Sequence, residues 1–170
     1  FNTVLRTLQY NNASQAPSTA DRTIRFLAND TSLFGGPSAY TTVSVQAIND
    51  APVHTVPGAQ TTPQDTPLVF SSGSGNGISV ADLDASTIEV TLTATNGTLT
   101  LGDSTGLTFS TGDGTADASL VFTGTLADIN NALTTLSYQG DLNYVGTDTL
   151  SVTVNDQGNT GSGGALQDTG

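Results

Sequence analysis

Part of the chain repeats itself, and this repeat is the feature that most limits how the chain can fold. Residues 1–10, FNTVLRTLQY, match residues 129–138, INNALTTLSY. Residues 23–30, TIRFLAND, match residues 149–156, TLSVTVND. In each pair, the two matching segments lie more than a hundred residues apart. The repeating unit is therefore a whole small domain and not one turn of a solenoid.

The repeat also predicts where the domains meet. We expect residues 1–50 to be the C-terminal part of one repeat and residues 51–170 to be a second repeat. The strand-like segment YTTVSVQAIND, at 40–50, has no counterpart after the second repeat's last matched segment. We therefore expect the second repeat to lack its last strand.

Alternation of apolar and polar residues predicts that most of the chain forms β-strands. Asn96-Gly97 separates two alternating runs, which predicts a two-residue hairpin, and GDGTAD at 112–117 predicts a second hairpin turn. Frequent turn signals and many Thr, Val and Ser residues favour an all-β fold of antiparallel β-sandwich type. The alternating runs are TTVSVQAI, TIEVTLTA, LTFS, SLVFTG and TLSVTV.

One segment has a helical pattern instead. In TLADINNALTTL, at 125–136, Leu126, Ile129, Leu133 and Leu136 fall on one face of a helix. Thr125 is a suitable N-cap, and Asp128 lies in the first turn, where a negative charge is favourable. We expect one short helix inserted between strands.

The charged residues are few and strongly unbalanced. The chain has 14 Asp and one Glu against three Arg, with no Lys, which gives a formal net charge of -12. Such a surface repels nucleic acids and anionic membranes, so neither is an expected partner. There is no Cys, which excludes disulfides and thiolate metal sites. The three Asn-X-Ser/Thr triplets, at Asn12, Asn29 and Asn96, have the form of glycosylation sites but also arise by chance in a chain rich in Ser and Thr.

Several motifs together resemble a known class of repeat. DINNALTTLSYQGDLNYVGTDTLSVTVND followed by GNTGSGG resembles the cadherin-like repeats of large bacterial surface adhesins and the chondroitin sulfate proteoglycan repeats. AINDAPV resembles the linker between such repeats, ADLDA resembles the cadherin D-x-D element, and VTVNDQGN resembles the D-x-G element. The resemblance implies cadherin-like, immunoglobulin-like β-sandwich repeats outside the cell.

The same motifs supply a candidate calcium site. Calcium binds six to eight oxygens from carboxylates, amides and backbone carbonyls. The predicted ligands are Asn49 and Asp50 in the linker, Asp82 and Asp84 facing the same way on an extended segment, and Asp156 in a turn. Each of these residues could instead be an ordinary turn residue. The order of the motifs favours Ca²⁺ as the cofactor.

The expected function follows from the resemblance. It implies a calcium-rigidified extracellular repeat of a bacterial adhesin or surface filament, serving as a structural spacer in cell adhesion or biofilm. The expected partners are neighbouring repeats of the same protein, including head-to-tail copies in a fibre. The alternative is a β-sandwich module that binds carbohydrate or matrix. We do not expect an enzyme, because the acidic residues lie in turns and His54 is the only histidine.

Overall fold

The computed structural model describes residues 8–14, 16–27, 38–158 and 161–170. The chain divides into two compact units, 1–47 and 48–170. Most of the first repeat's matched segments, including the Asn29-Asp30 pair, lie outside the described residues.

The described residues of the first unit form an antiparallel pair of strands, β1 (Arg22–Phe26) and β2 (Ala39–Val43). All five residues of β1 are paired, from Arg22 with Val43 to Phe26 with Ala39. The guanidinium of Arg22 lies 5.9 Å from the centre of the Tyr10 ring, within the range of a cation–π interaction.

The second unit has ten strands and one α-helix in its described part. In chain order they are β3 (Val53–Thr55), β4 (Leu68–Val69), β5 (Ser79–Ala81), β6 (Thr87–Ala94), β7 (Gly97–Leu101), β8 (Thr108–Thr111), β9 (Ser119–Thr125), α1 (Leu126–Leu133), β10 (Leu136–Gly140), β11 (Leu150–Asn155) and β12 (Gln167–Thr169). A short 3-10 turn covers Ser72–Ser74.

These strands form three antiparallel sheets. The largest has five strands in the order β12-β11-β6-β9-β8, the next has three in the order β4-β10-β7, and β3 pairs with β5. The alternating run TIEVTLTA forms the central strand β6, in which every second side chain is fully or nearly fully buried. The prediction of an all-β fold with antiparallel sheets and one short helix is confirmed at this level.

Both larger sheets contribute to one hydrophobic core. The five-stranded sheet supplies buried side chains from β6, β9 and β11, and the three-stranded sheet supplies them from β7 and β10. Burial of such side chains stabilises by about 1.5–3 kcal/mol each before entropy is counted. The fully buried members are Ile88, Val90, Leu92, Leu99, Leu120, Phe122, Ile129, Leu133, Leu136, Val152 and Val154.

The helix begins where the sequence predicts it but ends at Leu133, and Leu136, which was expected on its apolar face, begins β10 instead. The Thr125 hydroxyl accepts a hydrogen bond from the N–H of Asp128 at 3.2 Å, so Thr125 is the N-cap. The side-chain amide of Asn130 joins the helix to β5, donating to the Val80 carbonyl and accepting from the Val80 N–H, both at 2.9 Å. This contact fixes the end of β5 that leads to Asp82. No helix in the described residues is long and apolar enough to span a bilayer.

The two predicted hairpins have different outcomes. The turn at 112–117 joins β8 to β9, which pair antiparallel, as predicted. The prediction of a hairpin at Asn96-Gly97 is wrong, because β6 belongs to the five-stranded sheet and β7 to the three-stranded sheet. The chain changes sheets at this turn.

Candidate functional site

The segment that leads into the second unit is held against it by Asn49. The Asn49 side chain is only 5% exposed. Its amide nitrogen donates to a carboxylate oxygen of Asp156 at 2.6 Å and to the carbonyl of Gly164 at 2.9 Å. Its backbone N–H donates to the carbonyl of Ser162 at 3.0 Å. Asn49 therefore ties the segment that precedes β3 to the loop between β11 and β12.

Asp156 is the buried partner of this contact. It is 0% exposed, and its Oδ1 accepts hydrogen bonds from the N–H groups of Gly158 at 2.8 Å and Leu166 at 2.9 Å. Burial alone raises the pKa of a carboxyl group, but the hydrogen bonds from Leu166, Gly158 and Asn49 outweigh it and lower the pKa of Asp156. Asp156 is therefore an ionised carboxylate at neutral pH.

The local sequence after Asp156 explains this geometry. Gln157 and Gly158 both have positive φ values, 58° and 67°, which turn the chain back on itself. The backbone N–H groups of Gly158 and Leu166 then face the Asp156 carboxylate. A Cβ atom at Gly158 would lie 2.8 Å from the backbone nitrogen of Ala165, so only glycine fits. The turn predicted here is confirmed.

Asp50, Asp82 and Asp84 form a second contact next to the first. The Asp50 N–H donates to Oδ2 of Asp84 at 3.3 Å. Oδ1 of Asp82 accepts from the N–H groups of Asp84 at 2.9 Å and Ala85 at 2.7 Å. The expected extended D-x-D geometry is wrong, because Asp82 bends back onto the following backbone in a turn.

The structure thus brings the five predicted residues together as two groups. Asn49 meets Asp156, and Asp50 meets Asp84, which is held next to Asp82. Oδ2 of Asp82 and Oδ1 of Asp84 are buried and have no hydrogen-bond partner among the described residues. Across the ranges that the structure describes, no group of three or more His, Cys, Asp or Glu residues is placed to hold a metal ion. The structure does not test calcium binding by these five residues, and direct hydrogen bonds join the members of each group.

Sequence reasoning missed a third contact that holds the same segment. Oδ2 of Asp168, on β12, accepts from the N–H of His54, on β3, at 3.1 Å and lies 2.7 Å from its Nδ1. The hydrogen bond from the His54 backbone outweighs the effect of burial, and the His54 side chain adds to it, so the pKa of Asp168 is lowered. No spacing in the sequence points to Asp168, because the partner lies far away in the chain.

Asp148 is the anchor of the turn at which the chain changes sheets. Its carboxylate accepts hydrogen bonds from the N–H groups of Thr95 at 3.1 Å and Asn96 at 2.9 Å and from the Tyr138 hydroxyl at 2.8 Å. Burial and this hydrogen bond raise the pKa of Tyr138 to about 12. The Tyr138 ring lies directly over Gly97, where an added Cβ would come within 2.5 Å of it. These contacts replace the predicted hairpin.

Comparison with known families overturns the resemblance seen in the sequence. The family model described as "Protein GAMETE EXPRESSED 2 domain" matches residues 68–162, which is more than half of the chain. No curated protein and no solved structure matches the chain. The resemblance to cadherin-like and proteoglycan repeats of bacterial adhesins is therefore wrong, and so is the function of a calcium-rigidified adhesin repeat. The carbohydrate- or matrix-binding alternative has no support either.

Proposed function

The chain belongs to the Protein GAMETE EXPRESSED 2 domain family, and on this premise we propose that it is a non-catalytic, extracellular structural module of a gamete-expressed protein. Its entering segment is fixed to the module by direct hydrogen bonds, so that the module keeps its shape without a bound ion.

The arrangement of the two larger sheets supports a sandwich of the immunoglobulin type. Side chains from both sheets meet in one core, and α1 contributes Ile129 and Leu133 to the same core. A core closed on both faces in this way suits a module that carries load, because its strands cannot separate without exposing buried apolar surface.

The observation that carries the proposal is the buried contact between Asn49 and Asp156. Hydrogen bonds to an ionised, buried group are shorter and stronger than those between neutral groups. Removal of one partner leaves the other without its hydrogen bond in a low-dielectric interior, which costs more than the bond contributes. The segment at 48–50 is therefore held firmly, and the contacts of Asp84 with Asp50 and of Asp168 with His54 reinforce it.

The state of the acidic residues supports a non-catalytic role. Both oxygens of Asp156 accept hydrogen bonds, and its lowered pKa makes it a poor proton carrier near neutral pH. Asp148 likewise accepts from three backbone N–H groups and a hydroxyl, which lower its pKa against the effect of burial. Both carboxylates therefore serve to hold the backbone of nearby turns in place.

An extracellular location is part of this proposal. The Asn-X-Ser/Thr triplets do not decide it, because the side-chain nitrogen of Asn12 is buried and that of Asn96 donates to Asp148. We also propose that the module's binding partners are neighbouring units of the same protein.

Two measurements test the proposal. An epitope tag on the protein is labelled in intact and in permeabilised gametes, and labelling of intact cells is expected; labelling only after permeabilisation overturns the extracellular location. Hydrogen exchange of the backbone at 48–55 is compared between the wild type and Asn49→Ala. We expect slow exchange in the wild type and faster exchange in the variant, whereas equally fast exchange in both means that the segment is not fixed.

A further inference from the structure

The outer face of the five-stranded sheet is covered mainly by small side chains that carry a hydroxyl group. Side chains alternate between the two faces of a strand, so the residues between the buried positions of β6, β9 and β11 point away from the core. The middle row of this face crosses all five strands in register and consists of Thr169, Thr153, Thr91, Val121 and Thr111. We call this row, together with the row on either side of it, the threonine face.

The two flanking rows are polar as well. The row on one side contains Ser151, Thr93 and Ser119. In the row on the other side, Glu89 lies between Asn155 and Thr123. All of these side chains are half-buried, so the core does not cover them.

Charge is nearly absent from the threonine face, although the unit as a whole is strongly acidic. Residues 48–170 contain thirteen of the fifteen acidic residues and neither Lys nor Arg. Within the five strands the charged residues are Glu89 and Asp168. Asp168 pairs with the buried Val154 and points to the inner side of the sheet, where it meets His54. Two copies of the unit therefore repel each other least when their threonine faces meet.

A face of hydroxyl groups is also complementary to itself. Each hydroxyl can both donate and accept a hydrogen bond, whereas a carboxylate can only accept. The hydroxyls of Thr153 and Thr169 lie 3.2 Å apart, so neighbouring groups on this face already bond to each other. Val121 and the threonine methyl groups add apolar contact area. Because β-sheets are twisted, a second twisted sheet fits such a face better than a flat surface does.

We propose that the threonine face binds the same face of a second copy of this chain. A two-fold axis that runs along the middle row places each Glu89 opposite Thr93 of the second copy, so the two carboxylates do not meet. The contact is weak. Five strands about 4.8 Å apart, the longest of eight residues, offer about 500 Å² per copy, against roughly 800 Å² in a stable interface. This contact between copies goes beyond the structural role proposed above, which does not depend on it.

Sedimentation equilibrium of the full chain, at concentrations up to about 1 mM, tests the contact. We expect reversible dimers that dissociate on dilution. Their dissociation constant should fall as salt is added, because salt screens the repulsion between the acidic units. A monomer at every concentration overturns the proposal. Dimers that dissociate when salt is added are held by ionic contacts and also overturn it.

Two variants with the same change of charge locate the contact. Thr91 lies in the middle row of the threonine face, whereas Thr98 is equally half-buried on the outer side of β7, in the three-stranded sheet. We expect Thr91→Asp to raise the dissociation constant by roughly tenfold, because the two new carboxylates face each other across the axis. Thr98→Asp should dimerise like the wild type. Equal loss in both variants means general repulsion and overturns the site.

A measurement on the wild-type chain covers the case in which Thr91→Asp does not fold. Backbone NMR signals are followed from dilute to concentrated solution. We expect concentration-dependent shifts at Thr91, Val121 and Thr153 and constant signals at Thr98. Shifts that spread over both sheets, or that leave out the threonine face, overturn the proposal.

Discussion

The side-chain amide of Asn49 donates a 2.6 Å hydrogen bond to the carboxylate of Asp156, which lies 107 positions further along the chain. Both residues are buried, so the bond is shielded from solvent. It connects the start of the second unit to the turn after β11. The stability of the unit therefore depends on one polar pair outside its apolar core.

Asp156→Asn is expected to lower the free energy of unfolding by about 2 kcal/mol. The new side chain keeps one oxygen for Gly158 and Leu166, but its amide nitrogen then faces the Asn49 amide, donor against donor. Urea denaturation of the two proteins at neutral pH measures the difference. The control is Asp141→Asn, an exposed residue whose change is expected to stay within about 0.5 kcal/mol. A similar small effect at both positions contradicts the structural role of Asp156.

Acid should destabilise the protein through Asp156 and Asp148. Both have folded-state pKa values lowered below the usual Asp value. Their contribution is fully present above the unfolded pKa of about 3.9 and is lost as the pH falls through the lower, folded values. We expect the urea midpoint to fall between about pH 5 and pH 2. The fall should be smaller in Asp156→Asn, and an identical fall in both proteins contradicts the assignment.

Gly97→Ala should lower the free energy of unfolding by about 1–3 kcal/mol or more, because Gly97 lies at the turn where the chain changes sheets. The added methyl group would come within 2.5 Å of the Gln139 carbonyl oxygen and of the Tyr138 ring. Thermal unfolding followed by circular dichroism measures the loss. Gly73→Ala is the matched control, because nothing lies within 4 Å of a Cβ atom at Gly73. Equal melting temperatures of the two variants would contradict the claim that close packing at Gly97 stabilises the protein.

The melting temperature should be the same with calcium and with a chelator. The Asn49–Asp156 and Asp50–Asp84 contacts are direct hydrogen bonds, so the entering segment closes without an ion. Differential scanning calorimetry in both buffers makes the comparison. A rise in melting temperature with calcium that disappears in Asp82→Asn would instead support the five-residue calcium site and would contradict closure by hydrogen bonds alone.

Local features of the sequence predicted local structure well. TIEVTLTA forms a strand over its whole length, Thr87–Ala94, and Thr125 caps the helix, because periodicity and capping depend on neighbouring residues. The Asn96-Gly97 turn was misread because the competing contact, with Asp148, comes from more than fifty residues away. Long-range partners of this kind leave no mark in the local pattern.

The candidate site was predictable only in part. The motif order correctly suggested that the segments carrying Asn49, Asp84 and Asp156 meet, as the hydrogen bonds show. It did not predict that Asp82 would bind the following backbone or that His54 would meet Asp168. The short acidic motifs also suggested the wrong family, since turns in unrelated β-proteins use the same Asp, Asn and Gly residues.

The position of β6 has a consequence for how the protein is made. This central strand is paired on one side with β9 and on the other with β11, so its neighbours follow it by some thirty to sixty residues. During translation, Thr87–Ala94 leaves the ribosome well before either neighbour is complete. Its apolar face stays uncovered until they emerge, and slow, non-local pairing of this kind leaves that face exposed to aggregation until Asn155 has emerged.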